Sequence, residues 1–163
     1  MKDVDNGNNG LAGRRRMLKL LGPGILLGVA ALAGRPAPAA VLPTVTLYKN
    51  PNCGCCGIWA KYMQASGYKV KVLMRQDMEP IKLRAGVPDD LVTCHTAFIE
   101  DYVVEGHVPL PAIRKMLKER PKILGLAVPG MPAGSPGMPS INKEPFKVFA
   151  FDADGEQAVY MSF

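Results

Sequence analysis

The sequence predicts a single α/β domain: one mixed β-sheet with flanking helices, a long loop rich in Pro, Gly and Met, and a C-terminal hairpin. Three observations support this fold class. A strand–helix–strand pattern occupies residues 45–74, two short strands share a turn near residue 100, and a further strand pair lies within residues 146–163. The chain has 163 residues, 48% of them hydrophobic, which is enough for one modest core. We therefore expect one folded domain over residues 40–163, preceded by a leader at residues 1–39.

The folded part begins with a βαβ unit. Residues 45–48 are β-branched and aromatic, which predicts a strand. The next segment carries an apolar stripe at helical spacing, formed by Trp59, Tyr62, Met63 and Ser66. This stripe predicts a helix that ends at Gly67. Residues 69–74 alternate as a second strand, and a right-handed crossover makes the two strands parallel.

Short elements follow this unit. Residues 77–85 predict a short helix that a glycine closes. Residues 97–99 and 102–104 predict two strands joined by a turn at Glu100-Asp101. Apolar residues at helical spacing over residues 110–117, with prolines near the start and after the end, predict a second amphipathic helix.

The segment from Pro121 to Pro145 is predicted as a loop. It holds six Pro and four Gly in 25 residues, which is too long and too broken for an ordinary connection. We expect this loop to be either functional or disordered. After it, residues 146–151 and 158–163 flank Asp154-Gly155 and predict the terminal hairpin.

The first 39 residues have the order of an export signal. Arg14-Arg15 is followed by Met17-Leu18-Lys19, an apolar stretch over residues 20–33 and an Ala-Pro-Ala exit at residues 37–39. The apolar stretch is shorter than the roughly 20 residues that span a bilayer, which favours a cleaved or loosely anchored leader over a true membrane anchor. We expect the twin-arginine export machinery to deliver the protein to the bacterial periplasm. Thiols in that oxidising compartment are usually paired, metal-bound or catalytic.

The net charge of +6 belongs mostly to the leader. Residues 1–39 hold six Lys/Arg and two acids, so the remainder carries 14 basic and 12 acidic residues. The folded part is therefore nearly neutral, and its charge gives no reason to expect nucleic-acid binding. The composition also excludes a disordered chain, a coiled coil and a polytopic membrane protein.

Three cysteines lie where the first strand enters the first helix. A helix N-terminus stabilises thiolates, and the frame Cys53-x-x-Cys56 in a βαβ unit is the thioredoxin-like redox signature. Cys55 departs from that signature, because a third thiol would scramble a dithiol exchanger. Three soft sulfurs suit a soft metal, and the adjacent Cys55 and Cys56 favour bridging thiolates over chelation of a single ion. A structural or redox disulfide between Cys53 and Cys56 is the open alternative.

The predicted central hairpin brings the other candidate ligands to the same end of the sheet. A turn at Glu100-Asp101 places Cys94 opposite His107 and His95 opposite Gly106. In a thioredoxin-like sheet this hairpin runs antiparallel to the first strand. Its open end therefore lies beside the turn that carries Cys53, Cys55 and Cys56, which we call the cysteine turn. We therefore expect all four cysteines and both histidines to converge.

Two methionines in the long loop indicate which metal these groups bind. The tetrapeptide Pro-Gly-Met-Pro occurs twice, around Met131 and Met138. Thiolate with imidazole suits copper or zinc, and thioethers favour Cu(I). Both methionines are candidate ligands, although Met also commonly fills gaps in a core.

Four motifs connect these residues with a known family. They are LYKNPNCGCC at residues 47–56, TCHTA at residues 93–97, VEGHVP at residues 104–109 and GLAVPGMP at residues 125–132. Together they resemble the CopG-type copper proteins, a thioredoxin-like family long catalogued as a domain of unknown function. The resemblance implies an exported copper-resistance protein that binds Cu(I) and interconverts it with Cu(II). The ligands that it implies are Cys53, Cys55, Cys56, Cys94, His107, His95, Met131 and Met138.

Copper resistance is the leading interpretation, with copper ions and other periplasmic copper-handling proteins as expected partners. A periplasmic thiol-disulfide oxidoreductase that uses Cys53 and Cys56 is the main alternative. A copper chaperone that docks through the methionine loop is another. Tyr48-x-Asn50-Pro51-x-Cys53 also resembles the start of glutaredoxin-linked arsenate reductases, but no arginine cluster follows Cys56 to bind an oxyanion.

Overall fold

The computed structural model describes residues 41–163, which contain one seven-stranded mixed sheet. The leader at residues 1–39 lies outside the described residues. The strands are β1 (Val45–Lys49), β2 (Val70–Met74), β3 (His95–Ile99), β4 (Tyr102–Gly106), β5 (Gly125–Val128), β6 (Lys147–Phe151) and β7 (Gln157–Ser162). The helices are α1 (Gly54–Ala65), α2 (Glu79–Arg84) and α3 (Leu110–Glu119). Within the described part of the chain, no helix has the length and apolar character needed to cross a bilayer.

The strand order β2-β1-β3-β4-β5-β6-β7 places the βαβ unit beside the central hairpin. Strands β1 and β2 are parallel, β3 is antiparallel to β1, and β3 and β4 form the hairpin. Strands β6 and β7 form the predicted antiparallel terminal pair. The predicted mixed α/β sheet is therefore confirmed, whereas the thioredoxin-like assignment remains a prediction from the sequence.

Strand β5 corrects the prediction that residues 121–145 form a continuous loop. Gly125–Val128 is buried throughout and lies between β4, to which it is parallel, and the antiparallel β6. A Cβ at Gly125 would overlap the Val103 carbonyl oxygen and lie 2.7 Å from the Phe151 ring, so only glycine fits here. The strand is not apparent in the sequence, because a four-residue apolar run buried on both faces shows no alternation.

The helices cover the two faces of the sheet, and each face has its own apolar cluster. On one face Trp59 and Met63 of α1 and Ile113 of α3 pack against the sheet residues Leu47 and Leu126. The smaller cluster on the other face contains Ala85, Val87, Leu91, Val103, Ala127 and Phe151. Burial of each large apolar side chain stabilises the fold by about 1.5–3 kcal/mol. Packing on both faces fixes the positions of the strands, and the candidate site lies at one end of them.

Candidate metal centre

The candidate site forms at one end of the sheet, where β1 leads into α1. The turn after β1 is closed by hydrogen bonds from the Cys53 and Asn52 N–H groups to the Asn50 carbonyl and side-chain oxygens, at 3.0 and 2.9 Å. Cys53 is the N-cap of α1, and its sulfur accepts a hydrogen bond from the Cys56 N–H at 3.3 Å. The positive end of the helix dipole therefore lies at the cysteine turn.

The sheet register brings the central hairpin to this turn. Lys49, the last residue of β1, pairs with His95, the first residue of β3. Cys94 therefore lies just beyond the end of the ladder, beside the start of α1. Its sulfur is 3.8 Å from the Cys55 sulfur, and its carbonyl oxygen is 3.6 Å from the Cys56 sulfur.

All four cysteine sulfurs lie within 4.8 Å of one another. The Cys55 sulfur is also 3.5 Å from that of Cys53. Cys53 and Cys56 are joined in a disulfide, which is the alternative that the sequence left open, and Cys55 and Cys94 are free thiols. The predicted convergence of the cysteines is confirmed. Reduction of one disulfide would make four thiol groups available at the same place.

Two buried histidines complete the cluster. The Cys94 sulfur lies 3.5 Å from His95 Nδ1 and 3.5 Å from His107 Nε2. The two imidazole rings are 5.4 Å apart between centroids. Among the described residues, no hydrogen-bond partner faces His95 Nε2, although that nitrogen is buried. Cys94, His95 and His107 therefore form a second group of potential ligands that shares Cys94 with the cysteine cluster.

Burial controls the charge state of these groups. It lowers the pKa of His95 well below its ordinary value, with a further contribution from His107, and it also lowers the pKa of His107. Burial, with the nearby Cys55, raises the pKa of Cys94 to about 12. At neutral pH both imidazoles are uncharged and can offer a lone pair to a metal ion. Cys94 is a protonated thiol, so a metal that binds it must displace a proton.

The segment after β5 lies over the cluster. The buried Ser135 hydroxyl is 3.5 Å from His107 Nδ1 and donates a hydrogen bond to the Pro132 carbonyl at 2.7 Å. At Gly137, which has φ +101°, a Cβ would lie 2.8 Å from the Cys55 carbonyl oxygen. The loop therefore packs directly on the cysteine turn, and only glycine allows this approach.

The two loop methionines occupy different positions. Met138 is half-buried and follows Gly137, so the backbone holds it next to the cysteine turn. Met131 is 38% exposed and has a positive φ of 47°. Their role as thioether ligands remains a prediction.

Several neighbours of the cluster could not be recognised from the sequence. Trp59, predicted only as part of a helical stripe, contacts the His95 ring at 4.8 Å between centroids and donates a hydrogen bond to the Val108 carbonyl at 3.1 Å. Glu105 and Lys82 form a buried ion pair, and Glu105 is near enough to Cys94 to contribute to the raised pKa of its thiol. The feature of the sequence that could have indicated this ion pair is Glu105 itself. It is a charged residue in a strand that otherwise consists of Tyr102, two valines and glycine.

Comparisons with known proteins identify chains that are similar to this one. A family model described as a protein of unknown function, DUF411, matches residues 91–138, a segment that contains Cys94 and both histidines. The chain is similar to two solved structures of copper resistance protein copG, in forms 1 and 2. Each of these solved chains is 39% identical to this one, with a TM-score of 0.71. The match covers 75% of this chain and 98% of the solved chain. No curated protein matches the sequence.

Proposed function

The chain belongs to the CopG family of copper resistance proteins, and from that premise we propose that it binds Cu(I) in the periplasm as a small thiolate-bridged cluster. Its role is copper resistance or the redox handling of copper. One observation carries the proposal: four cysteine sulfurs from two distant segments lie within 4.8 Å of one another.

The chemistry of the donors favours a soft ion such as Cu(I) over hard ions. Thiolates are soft ligands that select Cu(I) and zinc, and imidazole suits both, whereas hard ions prefer oxygen. Cys55 and Cys56 are adjacent in sequence, and the Cys55 sulfur faces those of Cys53 and Cys94 at 3.5 and 3.8 Å. Adjacent cysteines chelate a single ion poorly, so bridging thiolates in a small cluster would use this donor set better.

The two histidines extend the ligand set on the Cys94 side. His107 Nε2 lies 3.5 Å from the Cys94 sulfur and is the stronger candidate ligand, while Ser135 faces its other ring nitrogen. His95 offers a buried nitrogen without a hydrogen-bond partner in the described part of the chain. Met138, and less directly Met131, would supply thioethers from the covering loop. This loop would also exclude water from the bound ions.

The proposed location follows from the leader. Residues 1–39 resemble a twin-arginine signal, and that export route carries proteins that are already folded. In an oxidising compartment the Cys53–Cys56 disulfide can form whenever copper is absent. Two electrons must then reach the disulfide before both sulfurs can bind copper. Other periplasmic copper-handling proteins are the proposed partners for receipt or delivery of the ions.

Anaerobic metal titration tests the proposal. The reduced protein should take at least one Cu(I) from a chromophoric Cu(I) chelator, and Cys53→Ser or Cys56→Ser should remove most of this binding. Met116→Leu alters a buried sulfur residue of α3 and serves as the control that keeps full binding. Unchanged Cu(I) stoichiometry in both cysteine variants would end the proposal.

A second function, thiol-disulfide exchange, is favoured by the Cys53–Cys56 disulfide at the start of α1. Such an enzyme would reduce insulin or isomerise scrambled disulfides, and its activity would survive copper chelation and Cys55→Ser. Loss of that activity in Cys56→Ser, together with indifference to copper, would favour the exchange enzyme over the copper protein.

A further inference from the structure

One fully buried carboxylate, that of Glu105, ties together the segments that carry the candidate ligands. Glu105 is 0% exposed and lies in β4, two residues before His107. Its Oε1 accepts hydrogen bonds from the Thr93 N–H at 2.7 Å, the Thr93 hydroxyl at 3.0 Å and the Lys82 ammonium at 2.5 Å. Its Oε2 accepts one from the Thr96 hydroxyl at 2.7 Å.

The two threonines flank Cys94 and His95 in the sequence. Thr93 precedes the pair and Thr96 follows it, so the carboxylate holds the short Cys94-His95 segment from both sides. Lys82, from α2, also donates to the Thr96 hydroxyl at 3.0 Å, which fixes the hydroxyl in the orientation that serves Glu105. Hydrogen bonds to an ionised group are about twice as strong as neutral ones.

The residue after Glu105 shows how closely these segments approach. Gly106 has φ +72°, and a Cβ there would lie 2.5 Å from the Thr93 hydroxyl oxygen and 3.0 Å from the Val128 carbonyl oxygen. The end of β4 is therefore pressed against Thr93. This contact and the carboxylate network together fix the backbone from which Cys94 and His107 project.

We propose that Glu105 is a positioning residue for the copper site, which sets the relative placement of Cys94, His95 and His107 without binding copper itself. This inference rests on the proposed function. A buried ion pair adds little net stability because desolvation offsets the attraction, so the Lys82–Glu105 pair is better explained by the geometry that it imposes. Partners that orient metal ligands typically change metal affinity by about 10–100-fold when removed.

Three variants test the role by anaerobic competition for Cu(I) against a chromophoric chelator, each with its thermal unfolding midpoint. Glu105→Gln should weaken Cu(I) binding by about tenfold or more, and Thr96→Val should weaken it in the same direction by less. The double variant K82M/E105Q removes both charges and should remain weak, because the glutamine amide has one acceptor oxygen where the carboxylate has two, so one of the two threonines still lacks its acceptor. Val148→Ala, in the core of β6, destabilises the protein away from the site and should bind Cu(I) as tightly as the wild type.

The outcomes separate this inference from the proposed function. If the wild type fails to bind Cu(I), the proposed function is wrong and the inference falls with it. If the wild type binds but Glu105→Gln or Thr96→Val binds equally well, only the inference is overturned. Recovery of full affinity in K82M/E105Q would also overturn it. The weaker binding of Glu105→Gln would then be due to a buried Lys82 that has lost its counter-charge. If Glu105→Gln does not fold, Thr96→Val and the double variant decide by the same criterion.

Discussion

The Cys94 sulfur lies 3.5 Å from His107 Nε2, although 13 positions separate the two residues along the chain. The β3–β4 hairpin produces this contact, because Thr96 pairs with Glu105 and the two strand ends continue past the ladder. A thiol and an imidazole at this separation can bind the same ion after a small adjustment. The cysteine turn lies on the other side of Cys94, so this residue links both halves of the candidate site.

Reduction of the Cys53–Cys56 disulfide should control how many Cu(I) ions the protein binds. Protein with the Cys53–Cys56 disulfide intact should bind fewer Cu(I) ions than reduced protein, because a disulfide sulfur is a much poorer ligand than a thiolate. Metal analysis after anaerobic loading, with a parallel count of free thiols, measures the difference. A variant with both Cys53→Ser and Cys56→Ser provides the control, since reductant should not alter its copper content. Equal loading of oxidised and reduced wild type would contradict the prediction.

Stability of the copper-free protein should fall in mild acid. Burial lowers the pKa of His95 below the ordinary value of about 6.5, so below that pH the unfolded chain binds a proton that the folded protein excludes. The contribution of His95 to the unfolding free energy should therefore be constant above this range and decrease as the pH falls below it, by at most about 1.4 kcal/mol per pH unit. His107 contributes in the same direction.

Denaturant unfolding at neutral pH and at about pH 5 measures this dependence. The His95→Gln variant keeps a polar side chain but loses the titration, so its stability should change less between the two conditions. An identical pH dependence in the variant and the wild type would show that another group causes the effect.

The fluorescence of Trp59 should report copper at His95. This residue is the single tryptophan of the chain, and its ring lies 4.8 Å from the His95 ring between centroids. Emission should decrease as Cu(I) is added to the reduced protein and should level off at the binding stoichiometry. The His95→Gln variant retains Trp59 and should lose most of this response. A full response in that variant would mean that copper does not reach His95.

Met138 should contribute to copper affinity. Its position after Gly137, which packs on Cys55, predicts a loss of about tenfold, equivalent to roughly 1.4 kcal/mol, in Met138→Leu. Competition with a Cu(I) chelator measures the loss, and Met116→Leu in α3 is the matched control with no expected change. Met131→Leu should have a smaller effect because its side chain is 38% exposed. Equal affinity in Met138→Leu and Met116→Leu would remove Met138 from the ligand set.

Local patterns explain which parts of the fold could be predicted. The βαβ unit follows from the periodicity of residues 45–74, and the contact of Cys94 with His107 follows from one turn at Glu100-Asp101. These features depend on spacing over a few residues. The ligand roles of the cysteines, histidines and methionines remain predictions from donor chemistry and family resemblance.

Features that depend on distant contacts were missed. Strand β5 has too few residues to show a period, and it exists because β4 and β6 cover its two edges. The Lys82–Glu105 pair joins residues 23 positions apart, on α2 and β4. The approach of Ser135 to His107 depends on the path of the loop over the site. No local pattern encodes such pairings, because they arise only when the sheet is assembled.

X-ray absorption at the copper edge, on reduced protein loaded anaerobically with Cu(I), tests the central claim most directly. The thiolate-bridged cluster predicts a first shell dominated by sulfur, with a smaller nitrogen contribution and a neighbouring copper atom. A spectrum of isolated copper surrounded only by nitrogen and oxygen would contradict it.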